Sequence, residues 1–120
     1  MTEKTLTEVF GTGSSQTITE IIISKTGLAA LLFSAGYTFT PTASNSVDQL
    51  LAAIVCAGLV ALSPEERSKD VINRNLEFRY DPNINFSTIT TDGQTFNQHT
   101  IELAFYKPVA TPSFNPSDFT

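Results

Sequence analysis

Few residues in this chain are able to carry out chemistry: one histidine (His99), one cysteine (Cys56) and a glycine pair in the stretch FGTGSSQT at 10–17. A dinucleotide loop requires G-x-G-x-x-G between a strand and a helix, so that the pyrophosphate meets a helix N-terminus. Here Gly11-x-Gly13 has Gln16 at the third glycine position, and the strand-like residues follow the loop instead of preceding it. A phosphate loop ends in G-K-[ST], whereas this one ends in Ser15-Gln16-Thr17. Glycine and serine before a strand read instead as a flexible joint. Cys56 and His99 lie far apart on elements of different type, and one of each makes no metal set. The carboxylates are too dispersed for a calcium loop. Cys56 sits in an apolar helical run, where a free thiol behaves as a small hydrophobe. His99 sits on a hairpin strand and reads as a surface residue, not a general base. Eleven serines and five aspartates allow a Ser–His–Asp triad on paper, yet no nucleophile-elbow motif supports one. Glu77 and Glu102 face each other across strands, and pairing with Arg79 or Lys107 explains them without catalysis. Asn85-Phe86-Ser87 is a glycosylation sequon, of consequence only in a secreted chain. The expectation is a protein that is not an enzyme and uses no cofactor or metal.

The elements that would position any site belong to one domain of 120 residues. The apolar fraction of 41% fits a folded chain, while the charged fraction of 16% falls below the usual ~25%. Serine and threonine, 28 of 120 residues, fill that gap and keep a surface wet without charging it. Such a surface suits a protein that another surface will cover. The net charge of −5 and the scattered basic residues argue against nucleic acid and against an anionic membrane. A single cysteine excludes an intrachain disulfide and points away from an oxidising compartment. MTEKTLTEVFGTG lacks the apolar core of a signal peptide. LLAAIVCAGLVAL, 13 residues long, falls short of the ~18 that a membrane span needs. A soluble chain is expected.

Residues 1–16 are polar with isolated Leu6, Val9 and Phe10, and read as a flexible arm. Residues 17–24 (TITEIIIS) read as a strand, with Ile18 and Ile22 on one face and Ile21 and Ile23 on the other. LAALLF makes either a helical turn or a buried strand; periodicity leaves both open. Ser46 and Gln49 form a capping-box pattern that opens a helix to about Leu62, stopped at Ser63-Pro64. Beyond its first turn this helix is apolar on every face, so a sheet covers one side and either the LAALLF segment or another chain must cover the rest. PEERSKD (64–70) reads as a solvated turn, with a rim contact as the alternative. Leu76, Phe78 and Tyr80 alternate with Glu77 and Arg79 in a half-buried strand. Asp92-Gly93 between INFSTITT and TFNQHTIELAFYK signals a hairpin. The tail after Pro108 is extended, with Phe114 and Phe119 as possible anchors. The expected fold is α+β: a mostly antiparallel sheet of about four strands packed on one long apolar helix, with an extended N-terminal arm and C-terminal tail. Its organisation is an arm (1–16), a domain (17–108) and a tail (109–120).

With MTEKTLTEVFGTGSSQTITEIIIS at one end, YKPVATPSFNPSDFT at the other and a Ser/Thr-rich core between, the chain resembles small structural proteins of tailed-phage particles of the capsid-stabilising (cement) type. The resemblance lies in organisation and carries no motif. It implies a non-enzymatic virion protein, assembled in the host cytoplasm, that clips neighbouring capsid subunits together. Its partners would be the major capsid protein or other virion subunits, with homo-oligomers expected. Residues 1–24 are expected to exchange a strand with a neighbour through Leu6, Val9, Phe10, Ile18, Ile21 and Ile23, with Phe114 and Phe119 as tail anchors. Two alternatives remain: a tail, neck or baseplate component, and a cytoplasmic domain binding a small ligand between Tyr37, Tyr80 and His99.

Overall fold

Helix signals set the first half of the molecule. The computed structural model describes residues 4–106 and 114–118. Thr5-x-x-Glu8 closes a capping box, in which the Glu8 N–H donates to Thr5 Oγ1 at 3.3 Å and the Thr5 N–H to Glu8 Oε1 at 3.2 Å. It starts α1 (Leu6–Phe10), which the chain follows with β1 (Ser15–Gln16) and β2 (Ile21–Ile22). Ser24 accepts from the Gly27 N–H and caps α2 (Lys25–Ser34). Ser46 and Gln49 form the expected capping box of α3 (Val47–Ala61), and Ser63 with Pro64 starts α4 (Pro64–Ser68). LAALLF is thus helical.

The core lies between α2 and α3, where Leu28 and Leu32 pack on Ala53 and Ala57, with Ile23, Leu31, Phe39, Ile54 and Cys56 around them. The buried residues of α3 are all small: Ala53, Ala57, Gly58 and Ala61. Small side chains let neighbouring backbones approach, and a Cβ on Gly58 would lie 2.7 Å from the Phe78 ring. Val47 and Leu51 remain exposed in consequence. Val47–Ser68 has the length and composition to cross a membrane, although the helix breaks at Leu62-Ser63, and 22% of its apolar window is buried.

The fold is α+β with antiparallel strands and one long helix. The expected sheet of about four strands is corrected to three two-stranded sheets, β1–β2, β3–β6 and β4–β5. β3 (Leu76–Arg79) pairs with β6 (Glu102–Phe105) from Leu76↔Phe105 to Arg79↔Glu102. β4 (Phe86–Thr91) pairs with β5 (Gln94–His99) from Phe86↔His99 to Thr91↔Gln94. The break has a local cause. The Asp81 carbonyl accepts from Ile84 and Asn85 N–H groups, and Asn85 Oδ1 accepts from the Asp81 N–H at 2.9 Å. That turn inserts residues 80–84 opposite Ile101, so the two ladders form one interrupted ribbon and do not lie side by side. Asp92 (φ 53°) and Gly93 (φ 77°) make the tight turn expected of them. A 3₁₀ turn, Pro116–Asp118, ends the described chain.

Two further expectations are corrected. The stretch 17–24 is a strand only at Ile21–Ile22, because Thr17 Oγ1 accepts from the Thr19 and Glu20 N–H groups and turns the chain. Nor is the N-terminal segment extended where it is described: α1 packs on α3 and buries Val9 to 7% exposure. The loop after it is pressed onto α2, since Cβ atoms at Gly11 and Gly27 would strike the backbones of Gly27 and Thr12. Close approach accounts for these glycines better than hinge freedom does.

Candidate interaction surfaces

The structure sorts the eight expected interaction residues into three groups. Val9 is buried, and Leu6 and Phe10 are half-buried beside it, so these three hold α1 to its own chain. Ile18 stands fully exposed at the β1–β2 turn, Ile21 is exposed on β2, and Ile23 packs against the core. Phe114 is exposed and meets Phe105 edge-on, with ring centroids 5.0 Å apart. Phe119 lies outside the described residues.

Leu6, Val9 and Phe10 line a cleft of about 680 Å³ together with Lys4, Leu62, Arg74, Leu76 and Phe105. Its polar side is organised by Glu66 of α4. The Glu66 carboxylate accepts from Lys69 Nζ at 2.9 Å, and Lys4 Nζ and Arg74 lie at 3.3 and 3.4 Å. The hydrogen bond from Lys69, followed by the Lys4 interactions, holds the Glu66 carboxyl below its ordinary range. Arg67 of α4 stacks 3.5 Å over the Tyr106 ring, and the Tyr106 hydroxyl donates to buried Glu77 at 3.2 Å. Arg79 lies between Glu77 (3.3 Å) and Glu102 (3.9 Å), which accounts for the carboxylate pair as an ion network. The stretch PEERS (64–68) is therefore a helix that packs on β3 and holds Tyr106 just beyond β6.

Tyr37 and Tyr80 line a shallow groove of about 540 Å³ with Phe78, Ile84 and Glu102. His99 joins Tyr80 through a 2.6 Å hydrogen bond between its Nδ1 and the Tyr80 hydroxyl, and does not line that groove. Burial pushes the Cys56 thiol up, away from the thiolate form that nucleophiles use.

Two further exposed regions were not named residue by residue in the sequence. One comprises the end of α2 and the first turns of α3, with Phe33 81%, Val47 69% and Leu51 57% exposed. The other is the β4–β5 hairpin, whose residues are all exposed on both faces. The first was foreshadowed by the all-round apolar helix; the second left a signal in twelve strand residues with too few large apolar side chains to bury. No family model, no curated protein and no solved structure matches the chain.

Proposed function

We propose that this chain is a non-enzymatic structural protein of a tailed-phage particle, which stabilises the capsid by joining neighbouring subunits. The observation that carries the reading is the exposure of Phe33 at the end of α2 and of Val47 and Leu51 in the first turns of α3. Apolar patches of this kind mark surfaces made to be covered. Ile18 and Ile21 at one end and Phe114 at the other give further apolar contacts of the sort a clip uses. The capsid location rests on the resemblance in organisation. A multivalent lattice turns modest contacts of each copy into firm attachment.

The test has two parts. Light scattering on the full chain and on Val47→Ser/Leu51→Ser reads self-association; the account expects an oligomer that the double substitution weakens. Removal of residues 1–16 is a poorer test, because it strips buried Val9 from the core. Mass spectrometry of density-banded phage particles from a lysate that makes the chain reads location. Banding with particles supports the capsid reading, and recovery with detached tails moves it to the tail, neck or baseplate. Recovery in the soluble fraction alone contradicts both.

The 680 Å³ cleft favours a second reading, a small-ligand-binding domain, since the walls formed by Leu6, Val9, Phe10, Leu62, Leu76 and Phe105 suit an apolar chain. Decanoate raising the melting temperature in proportion to its concentration would support that reading over the structural one.

A further inference from the structure

The backbone of the β4–β5 hairpin allows its outer edges to be read residue by residue. The Thr100 N–H donates to the Asn85 carbonyl at 2.7 Å while the Asn85 N–H turns to the Asp81 carbonyl, so those two residues sit at a hydrogen-bonding position of the ladder, joined by one bond. Antiparallel ladders alternate bonded and non-bonded pairs. Along the register from Phe86↔His99 to Thr91↔Gln94, the bonded pairs are then Ser87–Gln98, Ile89–Phe96 and Thr91–Gln94. The last of these closes the two-residue Asp92-Gly93 turn, as such hairpins require. It follows that the N–H and C=O groups of Thr95, Asn97 and His99 point outward along β5, and those of Phe86, Thr88 and Thr90 along β4. Among the described residues no other backbone group engages them.

Exposed edges are normally guarded by charge, proline or a bulge. Neither β4 nor β5 contains Lys, Arg, Asp, Glu or Pro. The chain as a whole carries −5, so two copies repel over most of their surface and least where the hairpins meet. A lone two-stranded hairpin is marginal in water, and added strands make such a ribbon stable.

We propose that β5 is the edge through which two copies of this chain join, antiparallel about a two-fold axis at Asn97. This deepens the assembly reading above and rests on it. With Asn97 opposite its counterpart, Thr95 falls opposite His99 and outward residues meet outward residues throughout, giving about six backbone hydrogen bonds. The two Asn97 carboxamides each carry donors and an acceptor and complete one another across the axis. On the opposite face Phe96 meets Gln98. The same operation on β4 sets Thr88 against Thr88 and Phe86 against Thr90, with no self-complementary amide. The second copy thereby turns a solvent-bathed hairpin into a continuous four-stranded sheet.

Amide hydrogen exchange on the full-length protein tests the pairing directly. The account expects the amides of Thr95, Asn97 and His99 to exchange at least ~100-fold more slowly than those of Phe86, Thr88 and Thr90. Asn97→Pro removes an outward N–H without breaking a bond inside the hairpin, and is expected to halve the mass seen by light scattering. Thr88→Pro, on the other edge, is expected to leave the mass unchanged. Equal, fast exchange on both edges overturns the pairing even if Asn97→Pro misfolds, and so does protection confined to the β4 amides. In those cases a wild-type mass above 13.0 kDa keeps the assembly reading alive. A wild-type monomer overturns both.

Discussion

Gly11→Ala separates two accounts of the glycine loop by the sign of its effect. If FGTGSSQ were a flexible hinge, alanine would stabilise the protein by about 0.4–1 kcal/mol through the unfolded state. The structure predicts the opposite. Gly11 holds φ 93° and ψ 167°, a region that costs a side-chain-bearing residue about 1–3 kcal/mol. Its Cβ would also strike the Gly27 carbonyl carbon and oxygen, backbone atoms that no rotamer change moves aside. Overpacking of that kind adds roughly 1–3 kcal/mol. After subtraction of the unfolded-state gain, the net loss lies between about 1 and 5.6 kcal/mol, with a midpoint of roughly 3 kcal/mol. Gly36 supplies the control, because it has φ 91° and a Cβ there would meet no atom within 4 Å. Gly36→Ala should therefore register strain less the same unfolded-state gain, about 1 kcal/mol. Urea unfolding of wild type and both variants, compared at unchanged m, yields the two values. A Gly11→Ala protein as stable as wild type, or as mildly affected as Gly36→Ala, would refute the close-packed loop.

Three other outcomes follow from the packing and charges. Leu32→Ala empties a fully buried site between α2 and α3 and should cost about 2–5 kcal/mol in urea unfolding, whereas Leu51→Ala on the exposed face should cost under about 1 kcal/mol in the dissociated chain. Starting the chain at Thr17 removes α1 and buried Val9, so its melting temperature should fall, where a loose arm would leave it unchanged. The folded-state pKa of Glu66 lies below its unfolded value of about 4.3. Its contribution is therefore present above that pH and lost as pH falls through the folded value. Wild type should exceed Glu66→Gln in stability at neutral pH and converge with it in acid, as parallel unfolding curves across pH will show.

The elements legible in the sequence were those governed by neighbours in the chain. Ser46 with Gln49 starts α3, and Asp92-Gly93 turns the hairpin, because a cap or a tight turn is a matter of three or four residues. Thr5 with Glu8 carries the same capping pattern, and its helix was hidden by the sparse apolar residues around it. What depends on distant partners was not legible. Alternation places Glu77 outward, yet it is buried, held by Arg79 and by a hydroxyl 29 residues away on Tyr106. Similarly, strand-forming residues at 17–24 and 74–107 imply one sheet, while the turn at Asp81–Asn85 divides it. Of the interaction residues, Ile18 and Ile21 are exposed, Phe114 is exposed but packs edge-on against Phe105, and Leu6, Val9 and Phe10 are spent on the chain's own fold. The need of α3 for cover was readable from its composition; α1, α2 and β3 supply it from Ala53 onward, and Val47 and Leu51 in the first turns are left exposed.

The central claim is that this chain works by being covered by other copies or other subunits. The mass of the full-length protein by light scattering, from low to high micromolar concentration, tests it most directly. The account predicts a mass that rises to a defined multiple of 13.0 kDa and falls when Val47 and Leu51 become serine. A well-folded 13.0 kDa monomer at every concentration, with Phe33, Val47 and Leu51 still in solvent, would contradict it.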